Sequence, residues 1–270
     1  MLMQRVITAL ILLPLLLLLI WFAPTPWLYA AFCAAGLLIA WEWTGLTAWR
    51  GEAPKRYAYL AVTALILLGA WLAPSGLRGA LLAVASLWWG CAFLLLPGFP
   101  QNFQRHPPAA AVMALLGLLL IASTLLALAL LHERGPLKLI YLFFLIFAAD
   151  TGAYFAGRRF GRHKLAPNIS PGKTVEGAIG GLLLCGVWSV IGGIAIFGLQ
   201  GGALLSLLAL SLLVAVFSIV GDLTESMFKR VAGIKDSGNI LPGHGGILDR
   251  VDSILAAAPV MVLGLQLLGL

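Results

Sequence analysis

The feature that most constrains this chain is a succession of long apolar stretches separated by short polar ones. A helix needs about 20 apolar residues to cross a bilayer. By that measure nine segments qualify, at residues 6–23, 27–49, 57–74, 78–98, 109–131, 137–157, 177–200, 203–228 and 252–270. Pro14 lies inside the first segment and is expected to kink it. Pro24, Pro26, Pro54, Pro74, Pro97, Pro100, Pro107, Pro108 and Pro136 fall at or between segment ends, where a missing N–H does no harm. The expected fold is all-α: a polytopic integral membrane protein with about nine transmembrane helices. Charged residues make up only 10% of the chain, against about 25% in soluble domains.

The net charge of +7 does not point to nucleic acid, because no basic helix with interleaved aromatics or other binding module is present. Cys33, Cys91 and Cys185 each sit in an apolar run with neither metal-site nor disulfide spacing. The first segment lacks a clear small-residue cleavage site, so it reads as a transmembrane helix and not a signal peptide.

Basic residues set the orientation. With the N-terminus in the cytoplasm, nine spans place fourteen of the seventeen Lys and Arg residues inside, leaving only Arg78, Arg134 and Lys138 outside. That satisfies the positive-inside rule. The C-terminus is then expected outside, and a bacterial inner membrane is the expected location.

Acidic residues are distributed differently. Seven of the ten fall in the last 121 residues, so residues 1–136 read as a transmembrane scaffold and residues 137–270 as the catalytic region, with cytoplasmic loops at 158–176 and 229–251. The tryptophan patches Trp41/Trp43/Trp49 and Trp88/Trp89 read as interfacial anchors.

Asp150 ends an apolar run. An ionisable group there is costly and usually faces protein or a polar cavity, which leaves two readings: a hydrogen-bonded structural carboxylate, or a wall of a polar pocket. The plainer reading of the basic run 158–164 is topology or contact with anionic lipid. Ser170-Pro171-Gly172-Lys173-Thr174-Val175-Glu176 then leads into the seventh segment. It is not a Walker A loop, since Pro167 stands where that motif needs glycine. Ser170 is expected to cap the helix, with Pro171 in its first turn and Glu176 near the positive end of its dipole. Lys173 beside such a helix start is a natural phosphate ligand.

The densest polar stretch is 221–252, with nine charged residues, a histidine and six glycines. Asp222, Glu225 and Lys229 share one helical face as the eighth segment ends. Asp249 and Asp252 stand at i and i+3 as the ninth begins. Carboxylate pairs from adjacent helices suit magnesium, which takes oxygen ligands and is usually held by one or two carboxylates plus substrate phosphates. Lys229, Arg230, Lys235, His244 and Arg250 lie between or beside them, and Gly243, Gly245 and Gly246 let backbone N–H groups approach an anion. Carboxylates, cations and glycines in this order suit phosphoryl or nucleotidyl transfer. The plainer reading is a salt-bridged cytoplasmic loop.

The order Ser226-x-x-Lys229-Arg230-x-x-x-x-Lys235-Asp236-x-x-x-x-x-Pro242-x-His244-Gly245-Gly246-x-x-Asp249-Arg250-x-Asp252 resembles the motif of the phosphatidate cytidylyltransferases, the integral-membrane CDP-diacylglycerol synthases. Upstream, Asp150-Thr151-Gly152-Ala153-Tyr154, Gly157-Arg158, Phe160-Gly161 and Ser170-Pro171-x-Lys173-Thr174-x-Glu176-Gly177 resemble a second block of that family, with Gly172 where a lysine is often expected. The resemblance covers residues 141–270; the first 140 match in character only.

The resemblance implies that phosphatidic acid and CTP give CDP-diacylglycerol and pyrophosphate with Mg²⁺, with a second metal ion left open. It implies catalytic roles for Asp222, Lys229, Arg230, Asp249, Arg250 and Asp252, and metal binding by Asp222 and Asp249. Asp252 keeps two roles, a second metal ligand or a support for Arg250. Substrate contacts are implied for Asp150, Ser170, Lys173, Thr174, Glu176, Lys235, Asp236, His244, Gly245 and Gly246. The expected partners are CTP, phosphatidic acid and membrane lipids, with a homodimer as a family-level expectation. A transporter or flippase is the alternative. It predicts paired broken helices near the midplane, whereas the polar residues here crowd segment ends.

Overall fold

The computed structural model describes residues 2–104, 107–240, 243 and 245–270, with the side chains of residues 2–9, 12 and 104 outside the description. Among the described residues nine long helices are present: α1 (Leu2–Phe22), α2 (Thr25–Thr44), α3 (Ala53–Leu72), α4 (Ser75–Leu95), α6 (Ala110–Glu133), α7 (Pro136–Phe160), α8 (Val175–Ala195), α9 (Gly201–Val231) and α10 (Leu248–Leu268). The four-residue helix α5 (Gln101–Gln104) follows α4 after a 3₁₀ turn. Among the described residues, eight of the long helices are long and apolar enough to cross a membrane, and α1 contributes the apolar stretch Leu13–Phe22. The all-α polytopic expectation holds, with boundaries displaced by several residues.

Helix α6 is the hub. It is buried along most of its length, and α2, α3, α4, α7 and α10 pack on it. Large apolar side chains such as Leu65, Leu72, Leu87, Leu94, Leu183 and Ile191 point outward from α3, α4 and α8, as lipid-facing surfaces require. Small residues let α7 and α8 meet at backbone distance: a Cβ on Gly177 would stand 2.9 Å from the Ala153 carbonyl, and Gly152 lies on the backbone of Gly180. Close approach through small residues is how helices associate where lipid removes the hydrophobic driving force.

Pro259 inside α10 lacks the N–H that would bond the Leu255 carbonyl. That carbonyl instead accepts from Trp89 Nε1 at 3.0 Å and Thr124 Oγ1 at 3.1 Å. Trp43 donates to the Met113 carbonyl at 2.7 Å. Trp43 and Trp89 are each 1% exposed, so these two are buried ties between helices and not interfacial anchors. Their indole N–H groups meet carbonyls in a medium that offers no water.

One local expectation is corrected. Ser170 and Pro171 do not open α8; residues Ser170–Thr174 form strand β2, antiparallel to β1 (Lys164–Ala166). The cap is Thr174, whose Oγ1 accepts from Gly177 N at 3.1 Å. Proline's fixed φ suits an extended strand as well as a first helical turn, so the sequence alone was compatible with both.

Candidate active site

Most of the charged residues of the second half of the chain converge on one end of the bundle, where the β1–β2 hairpin meets α7, α8, α9 and α10. The hairpin is pinned by its turn. Ile169 is buried, Asn168 Nδ2 donates to the Phe99 carbonyl at 3.4 Å, and Arg230 Nε donates to the Ile169 carbonyl at 3.3 Å. The hairpin's start is held by Glu176, which accepts from the backbone N–H groups of Arg162 and His163 and pairs with His163 Nδ1 at 2.6 Å. Thus fixed, β2 carries Lys173 over the helix ends.

Lys173 Nζ stands 2.6 Å from Asp222 Oδ2, with both side chains more than a quarter exposed. Asp150 from α7 and Asp252 from α10 lie within electrostatic reach of both. Gly221 makes this possible: its Cα lies against the Asp252 carbonyl, leaving no room for a side chain where α9 and α10 cross. A cavity of about 400 Å³ opens here, lined by Asp150, Tyr154, Arg158, Lys173, Thr174 and Ser253 together with smaller residues. A second cavity of about 480 Å³ shares Leu165, Ala178 and Ile219 with the first, and is otherwise lined mainly by apolar side chains such as Phe93, Phe99, Leu182 and Val216. A chamber with charged groups in its wall thus adjoins an apolar one.

The second ionic group is closed. Lys229 Nζ contacts Glu225 Oε2 at 2.5 Å and Asp249 Oδ1 at 2.8 Å, with side-chain exposures of 12%, 2% and 8% for the three residues. Asp249 also accepts from the amides of Ser237 at 3.1 Å and Gly246 at 3.0 Å. Its carboxylate is therefore occupied by a lysine and two backbone donors. Asp222 and Asp249, expected as a metal pair, each serve a different lysine here, and Asp249 turns back to tie the preceding loop to the first turn of α10. Among the described residues no three His, Cys, Asp or Glu groups already stand in metal-site geometry. Asp222 has Asp150 and Asp252 within electrostatic reach, oxygen donors of the kind a hard cation takes.

Other expected residues divide clearly. Lys235, Asp236 and Arg250 are exposed on the loop and the first turn of α10. Gly245 sits at φ +86° facing Asp249, and Gly246 is buried. Ser170 and Glu176 position the hairpin rather than line the cavity. Gly172 faces open space, where a lysine would fit. His244 lies outside the described residues. Tyr154 and Ser253 line the cavity without having been singled out in the sequence.

The largest omission is Glu42 of α2, 2% exposed, whose Oε2 accepts from Leu248 N at 2.8 Å and Ser237 Oγ at 3.2 Å. A lone acid inside an apolar segment is a legible signal, and its flanking tryptophans hid it.

Fold and site together define an integral membrane protein whose polar groups gather in a chamber at one end of four helices. The chain belongs to the cytidylyltransferase family, whose pattern it matches over residues 3–268. Similar proteins include the phosphatidate cytidylyltransferase of Pseudomonas aeruginosa, 42% identical over 264 residues covering 96% of this chain and 95% of the relative. That of Haemophilus influenzae is 37% identical over 285 residues, with 96% of both chains covered. That of Brucella suis is 40% identical over 268 residues, covering 96% of this chain and 91% of the relative. Similarity thus extends through α1–α6, well beyond the block recognisable from motifs.

Proposed function

We propose that this chain is a phosphatidate cytidylyltransferase, an integral-membrane nucleotidyltransferase that moves CMP from CTP to phosphatidic acid. A phosphate oxygen of the lipid attacks the α-phosphorus of CTP, the bond from that phosphorus to the β-phosphate's bridging oxygen breaks, and pyrophosphate leaves. No covalent enzyme intermediate is needed, because the attacking group is already an anionic oxygen.

The observation that carries this reading is the chamber lined by Asp150, Arg158 and Lys173, with Asp222 paired to Lys173 and Asp252 close by, beside an apolar chamber. An amphiphile fits the pair of chambers, with its phosphate at Lys173 and an acyl chain among Phe93, Leu182 and Val216. Lys173 holds that phosphate for in-line attack, while Arg158 and the exposed loop cations Lys235 and Arg250 offer contacts for the triphosphate. Three carboxylates around one lysine leave an excess of negative charge that favours a bound cation, and Asp222 with Asp252 would hold Mg²⁺ there. Bound, it would neutralise phosphate charge and stabilise the departing pyrophosphate. The excess of Lys and Arg at this end supports a cytoplasmic face, where CTP is available, and the bacterial relatives support the inner membrane as location.

The test is synthesis by purified protein in detergent with labelled CTP, phosphatidic acid and Mg²⁺. CDP-diacylglycerol and pyrophosphate are expected in equal amounts, and chelation of the metal should stop both. No transfer across several lipid species and divalent metals would overturn the proposal.

A further inference from the structure

Glu42 belongs to a helix otherwise devoted to packing, yet its carboxylate reaches only the polar end of the molecule. Oε2 accepts from the first-turn amide of α10, Leu248 N, and from Ser237 Oγ. Ser237 in turn gives its backbone N–H to Asp249. One serine therefore links two carboxylates, Glu42 through its hydroxyl and Asp249 through its amide. The backbones of Gly238 and Gly246 close over the Glu42 carboxyl: a Cβ on Gly238 would stand 2.7 Å from its Cδ, and one on Gly246 2.6 Å from Oε2. Two separate parts of the connection between α9 and α10, at 237–238 and at 246, thus converge on one side chain.

The last turn of α2 is itself braced. Arg56 donates to the Trp41 carbonyl at 2.9 Å and to Thr44 Oγ1 at 2.8 Å, with its guanidinium 3.5 Å above the Trp41 ring. On the other side Trp43 is tied to Met113 and meets Phe228 of α9 edge-on, ring centroids 6.1 Å apart. Three consecutive residues are thus each committed to a different neighbour, with Glu42 aimed at the loop. Burying a carboxylate is costly, and its Oε1 has no hydrogen-bond partner. The bulk of α2 packs through Leu28, Tyr29, Phe32 and Ile39 without it.

We propose that Glu42 is a positioning residue that seats residues 237–238 and 246–247 at the start of α10 and so presents Lys235 and Arg250 to the triphosphate of CTP. The inference rests on the transfer reading above for the identity of the nucleotide. The N-terminal helices therefore supply one determinant of nucleotide affinity. The lipid chamber is formed by other elements and does not depend on this seat.

Steady-state kinetics with CTP and phosphatidic acid, together with melting temperature, test it. Glu42→Ala is expected to raise the KM for CTP about tenfold or more, with the KM for phosphatidic acid unchanged. Glu42→Gln, which can still accept from Leu248 N, should recover most of the loss. Ser237→Ala should raise the CTP KM severalfold and decides the matter if Glu42→Ala does not fold. Wild-type CTP KM in the readable variants, equal movement of both KM values, or a Gln variant as poor as Ala would overturn the proposal. Hydrogen exchange at the Ser237 and Leu248 amides, measured without substrate, separates this from failure of the transfer reading: faster exchange in Glu42→Ala supports the seat even if no transfer is found, and unchanged exchange overturns it.

Discussion

Two lysines, Lys173 and Lys229, each face carboxylates from neighbouring helices, and they differ in what surrounds them. Lys229 sits between Glu225 and Asp249 with almost no exposure, and Asp249 is further satisfied by two backbone amides. Lys173 touches one carboxylate directly, has two more nearby, and opens into a cavity. A buried ion group closed to solvent fixes geometry, since breaking it leaves uncompensated charge in a low-dielectric setting. An open group with excess carboxylate has capacity left for a cation and phosphates. Residues only a few positions apart along α9 and α10 thus divide into a latch and a reaction chamber.

The sharpest way to break this division is at the open lysine. Lys173→Met should lower turnover by about a hundredfold or more, with a stability change under about 1 kcal/mol because the pair is partly solvated. CDP-diacylglycerol formation per folded molecule is the readout. At the latch the expectation reverses: Lys229→Met leaves Glu225 and Asp249 unpaired and should cost about 3–5 kcal/mol. The drop in melting temperature measures it, and adding Glu225→Gln to the same chain should restore part of the loss. The smallest effect belongs to Glu176, whose contacts hold the hairpin from its solvent side. Glu176→Gln keeps an acceptor for the Arg162 and His163 amides, so activity should change by less than about threefold.

The helices were legible because lipid permits so few ways to satisfy a backbone: the apolar segments and the prolines between them marked every long helix. The identity of the polar residues was equally legible, and Lys173, Asp222, Asp150 and Asp252 do meet. Their pairing was not. Helical periodicity places Asp222 and Asp249 at adjacent helix ends, but which lysine each meets depends on where the hairpin turns and how Ser237 and Gly246 are brought to Asp249. The hairpin itself was misread because Ser170-Pro171 suits a helix start as well as a strand. Trp43 and Trp89 were misread because composition near a segment end cannot tell a lipid headgroup from the Met113 and Leu255 carbonyls that receive their N–H groups. Glu42 carried a clear cost signal, but its partners lie about two hundred residues away in sequence, beyond any local pattern.

The most direct measurement on the central claim is CDP-diacylglycerol synthesis by Asp222→Asn, set beside its thermal unfolding. Turnover about a hundred- to a thousandfold below wild type with an unchanged melting temperature is the result the open chamber predicts. Near-normal turnover, or a loss that merely follows unfolding, would contradict it.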